Sequence, residues 1–184
     1  MRVALYIAAY VLPAAAIWGV VGLVSRLLGA MPVFMLLLAW VYAFGFGVCE
    51  TLALPAQAPS LTWQVPAHWV EKRSATVQSL IWGVSLGPGL ITRNPYAGIW
   101  LLPLLLALNQ NLLIAAGVGI AIGIAHGGTR ALGVVRNRTC IEATQAHLLI
   151  LGEQWRWKYL DGLALLLAAG ALAAYILSLL GNHL

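Results

Sequence analysis

The 184-residue chain is 62% hydrophobic and only 8% charged, with a formal net charge of +5 and a mean hydropathy of +0.91. Soluble domains devote about a quarter of their residues to charge, so an ordinary water-facing globule is excluded. The length allows about five spans of ~20 residues with short connections, which leaves no room for a soluble catalytic domain or a nucleic-acid module.

In chain order, the first apolar run covers about Val3 to Val24 and ends near Arg26. Met1-Arg2 before such a run imitates a signal peptide, but "LLGAMP" is a poor cleavage site and no secreted domain follows, so the run reads as a retained span. A second run extends from about Met31 to Leu54, with Pro32 suited to a first helical turn and Pro55 closing it. It carries Glu50, whose carboxylate costs ~2.5 to 3.5 kcal/mol at the centre of a span and must therefore face protein or water. The proline-rich stretch from Pro55 to Ser74 reads as a loop on the membrane surface, with Trp63 and Trp69 as interfacial anchors.

The third segment, Ala75 to Thr92, is short and interrupted by Gly87-Pro88-Gly89. Backbone amides at membrane depth must be satisfied, so this motif predicts a helix break covered by protein or water. Such breaks hold solutes or ions in transporters, and they also serve simply to kink a helix or bring it close to a neighbour. "TRNPYAG" then supplies Thr92 or Asn94 as a cap, with Pro95 in the first turn of a restarted helix.

A long apolar run from Ala97 to Gly128 follows, interrupted by Pro103 and by Asn109-Gln110-Asn111. If Ala75 to Thr92 crosses, this run must cross once as a single tilted helix, and the chain has five spans. If Ala75 to Thr92 dips in and returns, the run must instead fold into a hairpin at Asn109 to Asn111. We favour five spans, because hairpin arms of 12 to 15 residues reach only ~20 Å. The three amides then either bind a solute at mid-bilayer depth or cap two helices at a turn, the role turn chemistry favours. Ala115, Gly119, Gly123 and Gly127 recur at every fourth position, a stripe that permits close helix approach.

Arg130, Arg136 and Arg138 mark an aqueous loop, Ala143 to Tyr159 suits an interfacial amphipathic helix, and the last span covers about Leu160 to Leu180. Placing Arg2, Lys72, Arg73 and the basic cluster from Arg130 to Lys158 on one side puts the N-terminus in the cytoplasm, in keeping with a bacterial plasma membrane. Five spans also set Glu50 at about the depth of His126, a pair suited to proton relay, whereas the hairpin offers Arg93 as partner. Cys49 and Cys140 form no ligand spacing, nor do His68, His147 and His183 with one another, so no metal site is expected and no cofactor is indicated.

"RNPYAG" resembles the R-H-P-x-Y-x-G signature of membrane methyltransferases that modify isoprenylcysteine or phospholipids, with Asn94 in place of the histidine and one spacer fewer before Tyr96. "IEATQAHLLILGEQWRWKY" is similar to their carboxyl-terminal E-E...L...F-G-x-x-Y pattern, without its second acid. The resemblance implies a lipid-modifying enzyme with Arg93, Tyr96, Glu142 and Glu153 at the cytoplasmic face. The glycine- and proline-rich segment also resembles that of thiol-reductant transporters of cytochrome maturation, which carry a cysteine beside the proline where this chain has none.

The sequence thus predicts one all-α, polytopic integral membrane domain over residues 1–184, with about five spans, four to six being compatible. It contains no catalytic constellation. A transport component, or a membrane subunit of a larger complex, is the favoured function; a methyltransferase-like intramembrane enzyme and a non-transporting scaffold are the alternatives. The expected partners are the lipid bilayer and further membrane subunits or copies of the chain, and no nucleic acid.

Overall fold

Apolar runs with a backbone that must bond to itself can form only helices in hydrocarbon, and the computed structural model is all-α among the residues it describes: 2–28, 32–56, 58–59, 65–90, 96–109, 111–136 and 140–181. The helices are α1 (Arg2–Leu28), α2 (Pro32–Thr51), α3 (Ala67–Val70), α4 (Ala75–Leu86), α5 (Gly98–Ala107), α6 (Leu112–Arg136) and α7 (Cys140–Gly181). Four stretches are long and apolar enough to cross a membrane: Ala4–Leu28, Pro32–Thr51, Leu112–Thr129 and Gln154–Gly181. The chain is a polytopic helical membrane protein.

The expected single helix from Ala97 to Gly128 does not form. The run breaks after Ala107 and restarts at Leu112, which is the hairpin alternative. The asparagines explain the break: Asn109 Oδ1 accepts from the Asn111 amide at 2.9 Å, and Asn111 Oδ1 accepts from the amides of Leu113 at 2.9 Å and Ile114 at 3.3 Å. Such side-chain acceptors satisfy the orphan donors of a helix start and compete with continued helix. Gln110 lies outside the described residues. Neither does α4 supply a crossing, since twelve residues reach only ~18 Å against a hydrocarbon core of ~30 Å. Four long helices and two short apolar ones therefore replace the favoured five spans. The expected interfacial helix and last span are one continuous helix, α7.

The long helices form two antiparallel pairs. In the first, the small-residue stripe of α6 lies along α1, where a methyl group at Gly119, Gly123 or Gly127 would collide with the carbonyl oxygens of Trp18, Ala14 and Tyr10 respectively. Gly22 of α1 faces the Ala115 carbonyl in the same way. In lipid, where hydrophobic transfer gives no drive between helices, such backbone approach is what makes van der Waals packing strong. In the second pair, Gly47 of α2 meets Leu166 of α7, and Gly162 of α7 meets Glu50 and Thr51.

Among the described residues, the α1–α6 pair and the α2–α7 pair do not touch each other. Only α5 packs against members of both. One side of α5 joins Ala39, Ala43, Leu165 and Ala169 through Ala97 and Leu101, while Leu106 meets Trp18 and Leu90 on the other.

A candidate site where a half-helix begins

Pro95 was expected in the first turn of the restarted helix, with Thr92 or Asn94 capping it. The helix instead starts later, at Gly98, and its N-cap residue Ala97 gives no side-chain hydrogen bond; Thr92, Asn94 and Pro95 lie outside the described residues. The caps come from other helices. Glu50 Oε1, on α2, accepts from the Ala97 amide at 3.1 Å, and Asp161 Oδ2, on α7, accepts from the Gly98 amide at 2.8 Å. Carboxylates at a helix N-terminus meet both its unpaired N–H groups and the positive end of its dipole. Tyr42 completes the cradle by donating its hydroxyl to the Ala97 carbonyl at 2.9 Å.

Gly98 makes this approach possible, because a side chain there would strike the Asp161 carboxylate. The two carboxylates come from different spans and converge on neighbouring amides. Oε2 of Glu50 is buried and receives no hydrogen bond. As ionised groups, the two acids offer each other only acceptors, so a shared proton or a bound cation is the species that satisfies both. Tyr96 lies just outside the four spanning helices. Burial first, and then the charges of Asp161 and Glu50, hold its phenol above the ordinary tyrosine value, so it remains a donor at neutral pH.

The site opens into a pocket of ≈ 420 Å³, lined in part by Cys49, Glu50, Thr51, Trp155, Lys158 and Tyr159. Its roof is set by the way α2 ends. Leu54 donates to the Cys49 carbonyl at 2.8 Å, and Ala53 takes a left-handed φ of 53°, the six-to-one closure of a Schellman turn. Leu54, Ala53 and Ala56 thereby fold over Glu50 instead of continuing away from it.

The glycine-proline break forms a separate, drier feature. The α4 helix ends at Gly87; Pro88 is fully buried, and its carbonyl accepts from Trp18 Nε1 at 3.0 Å. Gly89 has a φ of +73° and lies so close to His126 that a Cβ would overlap the imidazole. The break is therefore covered by protein, as the backbone argument requires.

The Glu50–His126 pair expected from equal depth does not form. These residues belong to α2 and α6, which make no contact, and His126 packs at Gly89. Arg93, the other partner considered, lies outside the described residues, as do the side chains of Glu142 and Glu153. Of the four residues that the methyltransferase resemblance places at the cytoplasmic face, Tyr96 is the one whose surroundings are described, and it adjoins the two acids. No group of three or more His, Cys, Asp or Glu with metal-binding geometry occurs among the described residues.

Asp161, Tyr42 and the pocket-lining Lys158 escaped the sequence reading as site residues. Asp161 carries the same signal as Glu50, an acid just inside an apolar run, and sits beside a glycine. Comparison with known proteins gives no match to any family profile, curated protein or solved structure.

Proposed function

We propose that this chain is a transport component of a membrane, acting alone, as a homo-oligomer or within a larger complex, and that Glu50 and Asp161 hold its coupling proton or cation. The observation that carries this reading is the convergence of two carboxylates, one from each helix of a pair, on the start of a half-length helix. Intramembrane acids are costly and recur along ion and proton pathways. Discontinuous helices placed between bundles are a recurrent transporter device, with the bundles rocking around a fixed site. The division into two helix pairs with α5 between them supports that kind of motion.

The reading includes a plasma-membrane location with a cytoplasmic N-terminus. α1 and α2 are joined by a three-residue link, residues 29–31, so the start of α1 and the end of α2 share one side. Lys158 is on that side too, beside Glu50 in the pocket. Arg2 and Lys158 at a common end favour the cytoplasm for it.

Reconstitution tests the proposal. Liposomes holding the full chain and a pH-sensitive dye, given a potassium diffusion potential, are expected to take up protons faster than empty ones. Glu50→Gln and Asp161→Asn should each slow uptake at least tenfold while the chain remains folded. Absence of any proton or sodium flux through the unsubstituted protein, alone or with co-purifying subunits, would remove the transport reading.

A further inference from the structure

The pocket above Glu50 contains opposite charges in a definite order. Gly162 packs against Glu50 and Thr51, and Lys158 lies one turn earlier in α7, about 6 Å along the helix axis. The core continues from Asp161 toward Leu165 and Ala169, so the carboxylate is the inner group and the ammonium the outer one. The lysine stem carries its charge further toward the aqueous boundary, where the exposed Trp155 and Tyr159 line the same pocket. A volume of ≈ 420 Å³ suits a small molecule, since ligand cavities typically begin at ~300 Å³.

We propose that this pocket binds a small zwitterion carrying a primary ammonium and a carboxylate or phosphate, ammonium inward to Glu50 and anion outward to Lys158. This inference rests on the transport reading for its purpose and names the class of solute. Two observations carry it. Glu50 has one oxygen committed to Ala97 and a second with no donor, so N–H groups on a cation supply what the buried carboxylate lacks. Lys158 lines the same pocket one helical turn further out, and its charge acts on Glu50 across it, so an anion beside the lysine and an ammonium beside the carboxylate both meet their opposite charge.

The charge order also separates two sources of such chemistry. In a phosphatidylethanolamine of the adjoining leaflet, the phosphate is attached next to the acyl chains and the ammonium points to water. That order is the reverse of the one in the pocket. A solute entering from the aqueous side, ammonium first, matches it. On this arrangement a proton and the solute's ammonium compete for the same Glu50 carboxylate, which couples their movements without any further site.

The test uses the full-length chain in detergent, with γ-aminobutyrate and O-phosphorylethanolamine as probes and thermal unfolding as readout. Butylamine lacks the anion, butyrate lacks the ammonium, and the trimethylated analogue of γ-aminobutyrate lacks N–H donors. At least one zwitterionic probe is expected to raise the midpoint saturably, with apparent affinity at least tenfold above all three controls. Lys158→Gln should weaken the zwitterion at least tenfold without changing the butylamine response, and Lys158→Arg should restore it. Equal responses to zwitterion and butyrate, or no loss in Lys158→Gln, would overturn the proposal. So would stabilisation by phosphatidylethanolamine nanodiscs, relative to phosphatidylcholine, with no response to either soluble probe. Because this readout is binding, proton flux that persists without zwitterion binding removes the ligand class alone, while binding without any flux removes the transport reading alone.

Discussion

The α1–α6 and α2–α7 pairs are both antiparallel and both lined with small residues, yet they are built for different purposes. Along α1–α6 three carbonyl oxygens of one helix lie where side chains of the other would begin. No acid of the chain falls within either helix. Along α2–α7 the close glycines, Gly47 and Gly162, occupy one end only, and beside them stand Glu50, Asp161 and an open pocket. The first pair is a seam in which backbone meets backbone along most of its length. The second brings two acids, costly at membrane depth, to an open pocket at its end.

The sharpest way to break that contrast is to overfill the seam. Gly123→Leu places side-chain atoms on the Ala14 backbone and is expected to destabilise the protein by about 3 kcal/mol or more, beyond the usual range for overpacking because backbone rather than a side chain must move. Gly117→Ala, six residues away with nothing within 4 Å of its Cβ position, serves as the control and should unfold at an unchanged or slightly higher temperature. If the two variants melt alike in detergent, the seam is not where α1 and α6 are held.

A smaller loss is expected at the site. Asp161→Ala removes the charge-assisted acceptor for Gly98 and should cost about 1.5 to 3 kcal/mol, while Asp161→Asn keeps an acceptor oxygen and should cost less. Denaturant titration of the two variants checks the order. Ala larger than Asn places the stabilisation in the helix cap, and the reverse order would refute the capping role.

The smallest effect should be a gain. Ala53 adopts a left-handed conformation that disfavours any residue with a Cβ by about 1 to 2 kcal/mol, offset in part by the greater freedom of glycine in the unfolded chain. Ala53→Gly is therefore expected to stabilise the protein by about 0.5 to 1 kcal/mol. A rise in melting temperature with unaltered zwitterion binding would show that the turn shapes the pocket roof without contributing specificity.

The legibility of these features in the sequence follows their range. The first two spans and the last, the buried glycine-proline break and the Ala115–Gly127 stripe depend on local composition or helical periodicity, so they were visible without a structure. The capping asparagines were visible too, but deciding between a hairpin and a through-running helix required weighing arm length against turn chemistry. Length was given too much weight: α5 is short because its start is held by Glu50 and Asp161 within the bundle, so it need not reach the far interface on its own. The pairing of Glu50 failed for the same reason. Equal depth in a list of spans says nothing about which helices are neighbours, and α2 and α6 are kept apart. Asp161 was within reach of the rule that found Glu50, since it is an acid inside the run read as the last span.

The placement of α5 has a mechanical consequence. Because it alone bridges the two pairs among the described residues, its ten residues form the strut through which any relative tilt of the halves must pass. Its lower bearing is two carboxylate oxygens on two amides, and whatever neutralises those acids alters the grip at that bearing while leaving the glycine seam untouched. Chemistry at a single point would thus be converted into angle, with one half of the protein as the frame and the other as the lever.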